Sequence, residues 1–176
     1  MRGIILYGPP AAGKDTVTTE LHRISNEYAL FRRLKAGGGR TTGYRITTEQ
    51  KLGKLRMENE IVWENRRYDA IYAIDRSSLL NYLTHQIPVV HLGQIAAIDA
   101  VNEAIPDVRW LVVYIWCPRD VAARRIAARD TSDTEARLQA WDETVPASYA
   151  HIRINTADTP ARDAAQEIHR QLHRLT

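Results

Sequence analysis

Gly8-Pro9-Pro10-Ala11-Ala12-Gly13-Lys14-Asp15-Thr16 has the spacing G-x-x-x-x-G-K and stands between an apolar run and a helical pattern. Ile4, Ile5 and Leu6 before it suit a short buried strand, and Val17, Leu21, Ile24 and Tyr28 after it recur at helical spacing. That setting is the one a phosphate-binding loop needs. Such a loop wraps an anion with its own backbone N–H groups and with the unsatisfied donors of a helix start, so its residues must be small. Gly8 and Gly13 permit the turn, and Pro9, Pro10, Ala11 and Ala12 complete it. Lys14 is positioned to set an ammonium against the terminal phosphates of a nucleoside triphosphate. After the lysine, where Ser or Thr ordinarily offers a hydroxyl to Mg²⁺, stands Asp15, followed by Thr16. A carboxylate there either holds the ion, directly or through water, or acts as a local anion at the helix N-terminus.

The bulk composition agrees with one soluble domain. The chain has 176 residues and 44% hydrophobic content, enough for a sizeable core without a second unit. The strand and loop begin at Arg2, which leaves no space for a signal peptide, and no apolar run approaches a membrane span, so a cytoplasmic location is expected. Cys117 is the only cysteine; an internal disulfide is excluded, and its simplest reading is a small buried hydrophobe. The net charge of +3 is too small to argue for a nucleic-acid partner. Its distribution is more telling. Residues 31–45 carry Arg32, Arg33, Lys35, Arg40 and Arg45 without one acid, interrupted by Gly37-Gly38-Gly39, which reads as a basic segment facing phosphate or as a solvated loop.

Downstream of the first helix, residues 30–75 mix charges, glycines and threonines and read as an appended region of short strands and turns. Residues 77–84 are helical in pattern, and residues 87–92 form a candidate buried parallel strand. Ile98, Val101 and Ile105 mark a helix that should end at Pro106. Residues 110–116 are the most strand-like run, and Pro118 suits the first turn of a helix reaching to about Arg129. A polar break at 131–134 leads to a helix with Leu138 and Trp141, then a strand with Ile152 and Ile154, then a terminal helix. Alternating strands and helices predict an α/β fold: a central parallel sheet between two helical layers, with ligands at the carboxyl ends of the strands.

Arg124, Arg125 and Arg129 lie together in the helix after the strongest strand, with Arg137 across the polar break. Arginines around a break suit a closing lid, because phosphoryl transfer depends on spreading charge over donors and excluding water. Surface pairing with Asp120, Asp130, Asp133 and Glu135 is the alternative.

Over nearly its full length the chain resembles the guanylate kinase family of nucleoside monophosphate kinases. The residues that carry the likeness are the Gly8 to Thr16 loop, Arg40-Thr41-Thr42, Trp63-Glu64 leading to Tyr72-Ala73-Ile74-Asp75, Arg129-Asp130-Thr131 with Arg137-Leu138, and Ile154-Asn155. The resemblance implies a P-loop NTPase three-layer fold in a single domain, with a core at 1–29, 76–123 and 139–176, an acceptor-binding subdomain at 30–75 and a lid at 124–138. It implies ATP and Mg²⁺ as cofactors. It places Arg40 and Arg45 on the acceptor phosphate with the Tyr72 hydroxyl, Arg129 and Arg137 on the moving phosphoryl group beside Lys14 and Arg125, and Asn155 near adenine. The family's guanine-reading glutamate and small hydroxyl residue correspond to Val62 and Ile74, leaving Glu64 as the nearby substitute. Gly93-Gln94 stands where the family has an acid near the metal, for which Asp15 would compensate. The G-K-D loop is also similar to that of ribose 1,5-bisphosphate phosphokinases.

The expectation is therefore a kinase moving the γ-phosphoryl of ATP to a nucleoside monophosphate, or alternatively to a phosphorylated sugar such as ribose 1,5-bisphosphate. A non-catalytic nucleotide-binding module and a nucleotide-switch ATPase are the readings from other classes. The partner expected is a small phosphorylated acceptor rather than nucleic acid or membrane, with the chain a monomer or a homodimer. His91, near the active edge, either contacts phosphate or water or is a satisfied buried histidine. His169 and His173, four apart, have no third ligand in view and are assigned no function.

Overall fold

The computed structural model describes residues 1–67, 69–128 and 133–175. The loop of Gly8 to Thr16 joins β1 (Arg2–Tyr7) to α1 (Lys14–Ile24). The chain continues through β2 (Tyr28–Leu30), β3 (Leu34–Gly37), β4 (Arg45–Ile46), α2 (Glu49–Met57), β5 (Ile61–Arg67) and β6 (Ala70–Asp75). It returns through α3 (Arg76–His85), β7 (Ile87–Leu92), α4 (Ile95–Ala104), β8 (Arg109–Trp116), α5 (Arg119–Ala127), α6 (Thr134–Asp142), β9 (Ile152–Asn155) and α7 (Ala161–Arg174).

Five strands form a wholly parallel sheet in the order β2-β7-β1-β8-β9. Side chains alternate across each strand, so β1 divides its apolar residues between two cores. Ile4 and Leu6 pack with Val17 and Leu21 of α1 and with Ala165, Ile168 and Leu172 of α7; Ile5 and Tyr7 pack on the other face with Leu79 of α3 and Ile98 and Val101 of α4. Each of these fully buried Leu and Ile side chains contributes roughly 1.5–3 kcal/mol. The sheet covered on both faces is the three-layer arrangement expected from the alternating pattern.

Two element boundaries differ from the sequence reading. α1 closes at Ile24, where the Ser25 N–H bonds the Leu21 carbonyl, and Tyr28 begins β2 instead of continuing the helix. Tyr28 keeps the same core partners because the chain doubles back beside Leu21. α5 ends at Ala127, short of the expected Arg129, which lies outside the described residues.

Residues between Leu34 and Asp75 build a second, four-stranded sheet in the order β4-β3-β6-β5. Its faces differ sharply. Leu34 and Ala36 of β3 and Ile71 and Ala73 of β6 cover Leu52 of α2, whereas Arg33, Lys35, Tyr72, Asn65 and Arg67 face a cleft toward the phosphate loop. Register enforces the split: Lys35 and Asn65 both stand opposite Tyr72, while Leu34 and Glu64 both stand opposite Ala73. Among the described residues no helix is long and apolar enough to cross a membrane.

Candidate active site

The loop after β1 has the backbone its sequence demands. Gly8, Ala11 and Gly13 all have positive φ, at 152°, 59° and 94°. A Cβ on Gly8 would lie 1.8 Å from the Ile115 carbonyl oxygen of β8, so the close approach of two parallel strands itself requires glycine. Gly8→Ala should therefore strain or shift the loop at a cost on the order of 1–3 kcal/mol or more. A lowered melting temperature together with lost anion binding is the expected outcome, and an unchanged melt would contradict this account of the turn.

Side chains brace the loop from behind. Thr156, just after β9, donates its hydroxyl to the Ala12 carbonyl at 2.9 Å. Arg125 donates to the Ala11 carbonyl at 3.2 Å, to the Thr156 hydroxyl at 2.9 Å and to the Thr156 carbonyl at 2.9 Å. Lys14 folds forward over the loop, its ammonium donating to the carbonyls of Gly8 at 2.6 Å and Pro9 at 2.8 Å.

The loop opens onto a cleft of about 790 Å³, within the range of small-ligand sites. The opposite wall is cationic and aromatic. Tyr44 and Tyr72 lie with ring centroids 5.3 Å apart, and Arg33 and Lys35 each sit over both rings at 5.5–5.8 Å. Lys35 is 1% exposed and donates to the carbonyls of Gly38 and Arg40, which fixes the glycine-rich turn carrying Arg40. Burial, with Arg137 nearby, pushes the Lys35 ammonium below its usual range. An anion in the cleft would offset both effects.

Between the two walls stands Asp15. Its Oδ2 accepts from Arg40 at 3.3 Å, and its Oδ1 lies 3.5 Å from His91 Nδ1. Burial opposes ionisation of Asp15, but the cationic charge of His91 when protonated, and that of Arg40 and Lys14, hold its carboxyl below the usual range. Burial pushes the His91 imidazole down to about 3, so it is neutral at pH 7, and the charges facing Asp15 there are Arg40 and Lys14. Asp15 is thus an acceptor-only carboxylate at the loop mouth, with Thr16 beside it on the cleft wall. That donor set fits a hard divalent cation. Among the described residues no three His, Cys, Asp or Glu side chains converge, so such an ion would draw most of its ligands from phosphate and water.

No protein-family model and no curated protein matches the sequence. Solved structures do match in shape. A guanylate kinase from Anaplasma phagocytophilum aligns with TM-score 0.65 over 98% of this chain and 84% of its own, at 12% identity. A sugar kinase from Janibacter sp. HTCC2649 aligns with TM-score 0.58 over 100% and 96%, at 14% identity, and a gluconokinase from Sinorhizobium meliloti 1021 with TM-score 0.54 over 98% and 92%, at 16% identity. The chain has the P-loop NTPase fold.

Within the P-loop fold, the residues singled out in the sequence separate into two groups. Gly8, Pro10 to Thr16, Arg40, Tyr72 and Arg137 all line the cleft, Arg137 held to Asp133 by two contacts of 2.7 Å. Pro9 belongs to the P-loop through the carbonyl that receives Lys14. Four others stand elsewhere. Arg45 forks onto the buried carboxylate of Asp75 and donates to Ser78 at 2.6 Å, so its guanidinium is engaged away from the cleft. Glu64 belongs to the α2 face of its strand and pairs with Arg56 at 2.9 Å, and β5 instead presents Trp63, Asn65 and Arg67 to the cleft. Asn155 closes a local turn with Ala157 and Asp158. Arg125 lies behind the loop, on the Ala11 carbonyl and Thr156. Arg129 lies outside the described residues.

Several cleft residues carried no role in the sequence reading: Tyr44, Asn65 and Arg67, with Thr156 behind the P-loop. A period-two alternation with Trp63 could have found Asn65 and Arg67. Thr156 had no signal beyond standing next to Asn155.

Proposed function

We propose that this chain is a P-loop kinase that transfers the γ-phosphoryl group of ATP to a small phosphorylated acceptor. The observation that carries the reading is one cleft with the P-loop at one end and the Arg33, Lys35, Arg40, Tyr44 and Tyr72 wall at the other. A phosphate on each side would bring acceptor and donor together, which is most of what phosphoryl transfer requires of a protein. The alignments to a guanylate kinase, a gluconokinase and a sugar kinase support the same class.

In this reading the P-loop amides and Lys14 hold the β- and γ-phosphates, and an acceptor phosphate oxygen attacks the γ-phosphorus as its bond to the bridging oxygen breaks. Arg137 spreads the charge of the moving group. Asp15 would hold Mg²⁺, and the ion would supply positive charge against the phosphates. Residues 30–75 form the acceptor-binding subdomain, with Tyr72, Arg40 and Arg33 on the acceptor phosphate. Arg67 of that region contacts Glu143 after α6 at 3.1 Å. We place the enzyme in the cytoplasm, as a monomer or homodimer, without nucleic-acid or membrane partners.

Two acceptor classes fit the wall. A nucleoside monophosphate would stack its base on Trp63, near Asn65. A phosphorylated sugar is favoured by one observation: Glu64, the residue available to read guanine, faces Arg56. A site lacking its base-reading group loses discrimination by orders of magnitude. Incubation with labelled ATP, Mg²⁺ and a panel of nucleoside monophosphates and sugar phosphates tests the proposal. Label is expected on a phosphorylated acceptor; nucleotide binding with no labelled product across the panel would favour a binding module instead.

A further inference from the structure

The protons around His91 can be assigned one at a time. The Thr18 hydroxyl lies 2.9 Å from the Lys14 carbonyl oxygen and 2.7 Å from His91 Nε2. Two oxygens at the first distance need a proton between them, and a carbonyl has none to give, so Thr18 donates to Lys14. The hydroxyl must then accept from Nε2–H. A neutral imidazole carries one N–H, which leaves the Nδ1 position with a lone pair. That lone pair faces Asp15 Oδ1 at 3.5 Å, too far for a good hydrogen bond and with no proton assigned between them. Arg40 meanwhile engages the other carboxylate oxygen, Oδ2. Two electron-pair donors, one from β7 and one from the first turn of α1, therefore converge at the mouth of the P-loop.

We propose that His91 Nδ1 and Asp15 Oδ1 together ligate the divalent cation that accompanies the nucleotide, and that the pair favours a borderline ion such as Mn²⁺ or Co²⁺ over Mg²⁺. The inference rests on the proposed nucleotide reading, since phosphate oxygens complete the shell. A metal–ligand bond of about 2.1 Å is more than half of 3.5 Å, so one ion reaches both atoms. Mg²⁺ is hard and selects oxygen, whereas an imidazole nitrogen raises affinity for later first-row ions. Thr18 holds the ring in the tautomer that exposes Nδ1, as hydrogen-bond partners behind metal-bound histidines do.

Pulsed electron paramagnetic resonance of the complex with Mn²⁺ and a non-hydrolysable ATP analogue tests this directly. The expected result is modulation from a directly bound ¹⁴N that disappears in His91→Ala and in His91→Asp. Calorimetric titration should show the Mn²⁺ to Mg²⁺ affinity ratio falling at least about tenfold in His91→Asp, where an oxygen replaces the nitrogen. Thermal melts of both variants establish that they are folded, and His91→Asp keeps a ligand in place if the alanine variant is not. Bound Mn²⁺–nucleotide without ¹⁴N coupling would overturn the proposal and leave the kinase reading standing. Failure of the analogue to bind at all would overturn both.

Discussion

Lys14→Met leaves the protein folded and lowers phosphoryl transfer by on the order of 10³-fold, the scale of removing a preorganised charge from a transition state. The ammonium rests on the carbonyls of Gly8 and Pro9 at the head of the P-loop, poised over the space a triphosphate would enter. A phosphate draws it off those carbonyls, exchanging a neutral acceptor for an anionic one, and charge-assisted hydrogen bonds are roughly twice as strong. Methionine preserves the apolar stem, so Val17 and Leu21 of α1 keep their places in the core. A circular dichroism melt and a single-turnover rate separate the two effects. Full activity in the variant would show that the P-loop is not where the chemistry occurs.

Asp75→Ala should be among the most destabilising substitutions outside the P-loop, at about 3 kcal/mol. Asp75 closes β6, is 5% exposed, and receives the fork of Arg45 together with the hydroxyl of Ser78. Truncation leaves the Arg45 guanidinium without its counter-charge, and 30% exposure of that side chain keeps the cost at the lower end of the range for buried pairs. For a chain of this length the loss corresponds to roughly 6–12 °C in melting temperature. The same pair sets a pH dependence. Burial opposes its ionisation, yet hydrogen bonds from Arg45 and Ser78 hold the Asp75 carboxyl below its usual range. A group depressed in the folded state contributes stability above its unfolded pKa, near 3.9, and loses it as pH falls through the folded value. Wild type should lose stability through that acid window, and Asp75→Asn should show a flatter curve there. Parallel curves for the two proteins would contradict the assignment.

The parts of the molecule written in apolar runs are legible in the sequence. Residues 87–92 and 110–116 read as buried strands from their apolar runs, and the glycines of the loop signal a backbone turn that favours them. Tyr28 was misleading because it lies four residues beyond Ile24 yet belongs to the next strand; spacing cannot distinguish a helix continued from a chain folded back. The cleft was less legible for a different reason. A strand side chain's face depends on register, and β5 shifts register between Ile61 and Trp63, so whether Glu64 or its neighbours meet the cleft was not decidable from the order of residues. Arg45 was equally ambiguous, since its buried partner Asp75 lies thirty positions away. Thr156 and Arg125 show the same limit: their work is to hold P-loop carbonyls, and hydrogen bonds between distant segments leave no pattern in sequence.

In the proposed kinase, the P-loop of Gly8 to Thr16 grips the phosphates of a nucleotide whose γ-group points at the wall of Lys35 and Tyr72. Crystals grown with a non-hydrolysable ATP analogue and a divalent cation test it most directly. Density for the β- and γ-phosphates inside the loop, with the Lys14 ammonium moved from the Gly8 and Pro9 carbonyls onto them, is the expected result. An analogue bound elsewhere, with the lysine still on those carbonyls, would contradict it.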